Sequence, residues 1–155
     1  MSRLSRLSHY SGTDNPEGEP SMTIQLQRIE GTPMAQRLTI RSHEWAVDGT
    51  AAEGGDDTGP NPHDLYDAAL GGCKALTLLW YARRKGWDVQ DVRTVVERDA
   101  SQERSGTYRL ATRLQVQGDL SDAQIAELQA AIGKCPVHKL MTQVTTEITT
   151  VVERA

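Results

Sequence analysis

Asn61-Pro62-His63-Asp64-Leu65-Tyr66-Asp67-Ala68-Ala69-Leu70-Gly71-Gly72-Cys73 opens the most informative stretch of this chain. Residues 63–85 contain no proline, are rich in Leu and Ala, and stop at Gly86 beside Arg83, Arg84 and Lys85. Glycine just past the end and cations in the last turn are helix-terminating signals. The apolar positions Leu65, Tyr66, Ala68, Ala69, Leu70, Ala75, Leu76, Leu78, Leu79 and Trp80 go nearly all round the predicted helix. Such a helix is buried on most sides. Asp67, Lys74 and the basic end argue against a membrane span. Gly71 and Gly72 each weaken the helix by about 1 kcal/mol relative to alanine. Their presence predicts close approach of another backbone.

Strands are expected on both sides. Residues 23–29 alternate apolar and polar, and Leu38-Thr39-Ile40 and Trp45-Ala46-Val47 read as further short strands. Residues 48–61 carry Gly49, Gly54, Gly55, Gly59, Pro60 and several acids, a loop composition. Two strands are predicted near 89–98 and 107–117, joined by a polar hairpin connection from Ser101 to Gly106. In the second, Tyr108, Leu110, Thr112, Leu114 and Val116 share one face. Ser121 with Gln124 forms a capping box for a helix with Ile125, Leu128 and Ile132 on one face, ended by Gly133. Cys135 is placed like an N-cap with Pro136 at the first helical position. A short helix should run from there to about Gln143, and the β-branched run 144–152 reads as a closing strand. The pattern is that of an α+β protein.

The 155 residues are near the size of one domain. Residues 1–21, rich in Ser, Gly, Pro and charge, read as an N-terminal tail or arm, and 22–155 as a single domain. The net charge of -4 leaves no basic footprint for nucleic acid. No apolar run follows Arg3 and Arg6, so no signal peptide and no membrane association are read there. Two cysteines are too few for a secreted disulfide scaffold, so a cytoplasmic protein with functional thiols is the expectation. The chain has no Phe, which fits a core completed across a subunit interface.

The chemistry rests on Cys73 and Cys135. A lone cysteine is often a small buried hydrophobe. Two thiols that meet on folding can form a sulfenic acid on one sulfur and close a disulfide with the other. Helix-dipole reasoning alone favours Cys135 as the more acidic thiol. Cys135-x-x-His138, with His43 and His63 elsewhere, has ligand-like spacing, but without a second tight pair no metal site is assigned. The acidic run Glu53–Asp57 lacks an EF-hand pattern and reads as a solvated loop. There is no G-x-S-x-G, G-x-G-x-x-G or P-loop, so hydrolase and nucleotide chemistry are not indicated and no cofactor is expected.

The run Gly59-Pro60-Asn61-Pro62-His63-Asp64-Leu65, leading into Ala68-Ala69-Leu70-Gly71-Gly72-Cys73 and followed by Cys135-Pro136-Val137-His138, resembles the OsmC/Ohr family of thiol peroxidases, in its OsmC-like branch. The resemblance covers roughly residues 35–152. It implies curved antiparallel sheets wrapped around a long central helix, in an intertwined homodimer with the cysteine pairs at the interface. It implies a small-molecule peroxide as substrate, attacked by Cys73 and resolved by Cys135, with an external dithiol as reductant. It also implies an arginine from the N-terminal strands, for which Arg37 and Arg41 are the candidates, although a solvated strand face is the plainer reading of both. A glutamate is expected in the Asn-Pro-x motif. His63 stands at that position here, with Asp64 next to it as the alternative acid. Leu70, Trp80 and Met141 are apolar residues suited to an organic peroxide. The other class of reading is a non-enzymatic or weakly active dimeric stress or ligand-binding protein on the same scaffold, which the His63 substitution favours.

Overall fold

The computed structural model describes residues 23–154. The predicted tail 1–21 lies outside the described residues. The chain forms two compact units, divided after Gly59.

The first unit is a three-stranded antiparallel sheet of β1 (Ile24–Arg28), β2 (Gln36–Ile40) and β3 (His43–Val47), in that spatial order. Leu38 pairs with Leu26 on one side and Trp45 on the other. The loop that follows is built around Asp48, which is nearly fully buried. Its carboxylate accepts hydrogen bonds from the Gly49, Asp56 and Thr58 backbone N–H groups and from the Thr58 hydroxyl. Burial alone would raise its pKa, but these bonds together hold the carboxyl below its ordinary value.

The second unit is organised by α1 (Pro62–Lys85). Asn61 caps it, accepting from the Asp64 N–H, while Asp64 returns a bond to the Asn61 N–H in a reciprocal capping box. Gly86, at φ 69°, closes the far end in the left-handed conformation that glycine adopts without strain. β4 (Asp91–Asp99) and β5 (Arg109–Gln117) form an antiparallel hairpin, followed by α2 (Asp122–Ile132) and α3 (Pro136–Thr142). The core of this unit is Leu78, Ala82, Leu128 and Ile132, flanked by Tyr81, Trp87, Val92, Leu114 and Val116. Tyr81 and Lys85 on α1 both bond Glu127 on α2, which clamps the two helices together. The α+β class and the order of elements agree with the sequence reading.

Three local expectations are corrected. Residues 144–152 form no strand among the described residues: β-branched composition favours extension, but a strand also needs a ladder partner. Ile148 and Val152 are instead 81% and 94% exposed. Helix α1 is not covered on most sides within one chain, since Leu76 and Trp80 are 69% and 56% exposed. The two glycines also differ. A Cβ on Gly71 would lie 2.7 Å from Val96 Cγ2 on β4, a side chain rather than a backbone, while a Cβ on Gly72 would meet nothing within 4 Å.

Candidate functional site

The two cysteines meet in the second unit. Cys73 lies on the fourth turn of α1, half-buried, and Cys135 is the fully buried N-cap of α3. Both are free thiols. The Val137 N–H, in the first turn of α3, points at the Cys73 sulfur at 3.5 Å. The start of α3, whose dipole was read as favouring Cys135, therefore also donates to Cys73. Burial pushes the Cys135 thiol above its ordinary pKa; the His138 N–H and Lys74 oppose this, while the adjacent Cys73 thiol adds to it.

Cys73 lines a largely apolar groove of about 1140 Å³ with Gly72, Leu76, Trp80, Ala130 and Val137. Cys135 does not line it. Of the apolar residues singled out in the sequence, Trp80 belongs to this groove, whereas Leu70 and Met141 line a separate cavity with Lys74 and His138.

Two of the remaining candidates, His63 and Asp64, stand apart from Cys73 along α1. Asp64 and His63 are nine and ten positions before Cys73 on α1, roughly 14 Å along a helix that rises 1.5 Å per residue. Asp64 is engaged by its capping box and by Arg98 at 2.8 Å. The Arg98 bond first, then the Asn61 N–H, lowers its pKa. His63 is exposed and bonds Glu103 at 2.9 Å, and that bond raises its pKa. Arg37 lies on β2 and Arg41 in the β2–β3 turn at φ 54°, both exposed on the first unit. His43 stacks on Trp45 in that unit. Among the described residues, no three His, Cys, Asp or Glu side chains converge as a metal-ligand set.

Sequence reasoning missed four residues. Asp67, buried beneath the first turns of α1, is held by Arg98 and by the Tyr108 hydroxyl at 2.9 Å, and Arg98 bridges it to Asp64. The carboxylates raise the pKa of Arg98 further, so it stays charged at all working pH. Lys74 is a buried ammonium beside the thiols. A lysine and an aspartate inside an otherwise apolar helix were the available signal, although they were read only as barriers to membrane insertion.

Residues 54–150, more than half of the chain, match the family model described as OsmC-like protein. The chain belongs to the OsmC-like family. Solved structures agree on the fold. The chain is similar to an OsmC-like protein from Mycoplasma pneumoniae, at 15% identity and a TM-score of 0.65, with 82% of this chain and 91% of that one covered. It is similar to an osmotic stress induced and detoxification response protein from Psychrobacter arcticus, at 17% identity and a TM-score of 0.66, covering 81% and 92%. The organic hydroperoxide resistance protein OhrB of Bacillus subtilis aligns at 21% identity and a TM-score of 0.53, covering 79% and 91%. No curated protein matches the sequence.

Proposed function

We propose that this protein is a homodimeric, cysteine-based hydroperoxide reductase of cytoplasmic oxidative-stress defence, its two units parts of one domain. The observation that carries the reading is the unequal pair of thiols. Cys73 faces an apolar groove and receives a backbone N–H, while Cys135 is sealed behind it. An incoming peroxide meets Cys73 first. The thiolate is the nucleophilic form of that sulfur.

The Cys73 thiolate attacks the terminal peroxide oxygen. The O–O bond breaks, the alcohol leaves with a proton, and Cys73 becomes a sulfenic acid. The Cys135 thiolate then attacks the Cys73 sulfur; the S–S bond forms, and the S–O bond breaks, releasing hydroxide that is protonated to water. An external dithiol reduces the disulfide and is itself oxidised. The apolar lining of the groove favours an organic peroxide over H2O2. The polar groups that assist departure of the alkoxide come, in this reading, from a second copy, because His63 and Asp64 stand too far along α1 in the same chain. Arg37 and Arg41 remain the proposed cations. Names of similar proteins refer to organic hydroperoxide resistance, which supports this assignment.

A specific feature favours the rival reading, a weakly active stress or ligand-binding scaffold: His63 occupies the motif position where the family resemblance implies glutamate. The test is peroxide consumption with dithiothreitol, comparing cumene hydroperoxide with H2O2, for wild type and Cys73→Ser. Turnover that is faster with cumene hydroperoxide and vanishes in Cys73→Ser supports the reductase. Equal, negligible rates in both proteins establish the scaffold reading.

A further inference from the structure

Lys74 follows Cys73 on α1 and is only 6% exposed. Its ammonium donates to the Ile132 carbonyl at 3.2 Å and lies 3.4 Å from His138 Nδ1. Among the described residues it has no carboxylate within salt-bridge distance, unlike Arg98 and Lys85, whose charges are paired. A buried cation without a counter-ion is costly. Its surroundings locate the missing anion. The Ile132 carbonyl that accepts from Lys74 also accepts from the Cys135 N–H, and His138 lies one helical turn beyond Cys135. Lys74 is thus anchored on both flanks of Cys135.

We infer that Lys74 is the counter-charge of the Cys135 thiolate, acting when Cys135 attacks the oxidised Cys73 and again when Cys135 departs during reduction. The inference deepens the proposed reductase and rests on it for its kinetic consequences. In the resolving step Cys135 must shed its proton inside the protein, and a fixed cation lowers that cost. In the resetting step the external dithiol attacks the accessible Cys73 sulfur, the S–S bond breaks, and its electron pair leaves on Cys135; the same cation stabilises the leaving thiolate. The titratable groups acting on Cys135 are Cys73 and Lys74 from α1; from α3, His138 contributes its backbone N–H, and its ring meets Lys74.

The test begins without peroxide. In a Cys73→Ser background Cys135 is the sole cysteine, and its ionisation is followed by ultraviolet thiolate absorbance against pH. Lys74→Met and Lys74→Gln should raise the midpoint by about one unit or more, and Lys74→Arg should restore it, because a unit corresponds to a loss of about 1.4 kcal/mol of charge interaction. Lys74→Gln can keep the Ile132 bond, so it separates loss of charge from loss of packing. Superimposable midpoints in all four proteins would overturn the inference. With both cysteines present, a single turnover should show Cys73 sulfenic acid forming at the wild-type rate in Lys74→Gln but decaying to disulfide about tenfold more slowly, following the smaller thiolate fraction. A midpoint shift without any sulfenic acid in wild type would sustain the Lys74–Cys135 pairing and reject the reductase. Sulfenic acid that resolves at the wild-type rate in Lys74→Gln would do the reverse.

Discussion

Asp67, Arg98 and Tyr108 tie the N-terminal half of α1 to the hairpin, and their energetics are set by how little water reaches Asp67. Removing Arg98 leaves a buried carboxylate with Tyr108 as its remaining partner. Arg98→Ala should therefore cost about 2–4 kcal/mol, somewhat below a fully buried pair because Arg98 is itself partly exposed. The midpoint of urea unfolding measures this, and Arg98→Lys should recover only part, since lysine lacks the planar fork that reaches Asp64 and Asp67 together. The His63–Glu103 pair is exposed and gives a direction only. Its contribution is present below the unfolded histidine pKa, about 6.5, and disappears as pH rises through the elevated native value. The gap in thermal midpoint between wild type and His63→Gln should thus be wider at about pH 6 than at about pH 9, where it closes. A gap independent of pH would show that the histidine acts by packing alone. His63 was visible in the sequence as a departure from the family motif. Glu103 was not, because its carboxylate comes from forty residues away, where local pattern carries no information.

At the scale of elements, what was legible followed local rules. Alternation located β5, the proline-free run ending at Gly86 located α1, the capping box at Ser121 located the start of α2, and Pro136 after Cys135 located α3. What was not legible depended on which side chain arrives from elsewhere, as the adjacent glycines demonstrate. Gly71 sits against Val96, whose branched side chain has little freedom to withdraw. Gly72 faces open space beside the groove. Gly71→Ala should destabilise even though alanine gains about 1 kcal/mol of helix propensity. Gly72→Ala should stabilise by up to about 1 kcal/mol, since only the propensity and the unfolded-state entropy act. The double variant Gly71→Ala/Val96→Ala tests the cause: it should show less than the summed loss, because the small residue at 96 makes room for the new methyl. Additive losses would place the strain elsewhere than at Val96. The thiols follow the same division. The family resemblance pointed to both cysteines and the Pro136 pattern set Cys135 at a helix start, but which sulfur the Val137 donor serves depended on the approach of α1, and it goes to Cys73.

For the whole molecule, the unresolved demand is apolar surface. Leu76, Leu79 and Trp80 form an exposed face of α1, and Ile148, Val151 and Val152 lie exposed on a segment with strand composition but no ladder. A chain without Phe that leaves this much apolar surface in water gains from burying it, at roughly 25 cal/mol per Å². The α1 face also borders the Cys73 groove, so association would wall off the thiol and set a second copy's residues beside it. The proposed homodimer satisfies both demands, and it fits the strand-like composition of 144–152, which would find a ladder on another sheet edge. Sedimentation velocity at micromolar concentration should give a dimer for wild type. Leu76→Glu/Trp80→Glu should give monomer, because charges buried in a symmetric interface are paid for twice. Deleting residues 144–155 should weaken the dimer while leaving the core of Leu78, Ala82, Leu128 and Ile132 folded, as that core draws nothing from the segment. Peroxide turnover should fall with dimer content in both variants if the assisting polar groups come from the partner. A fully active monomer would mean that one chain holds the complete site, with Lys74 as the buried cation acting on Cys135.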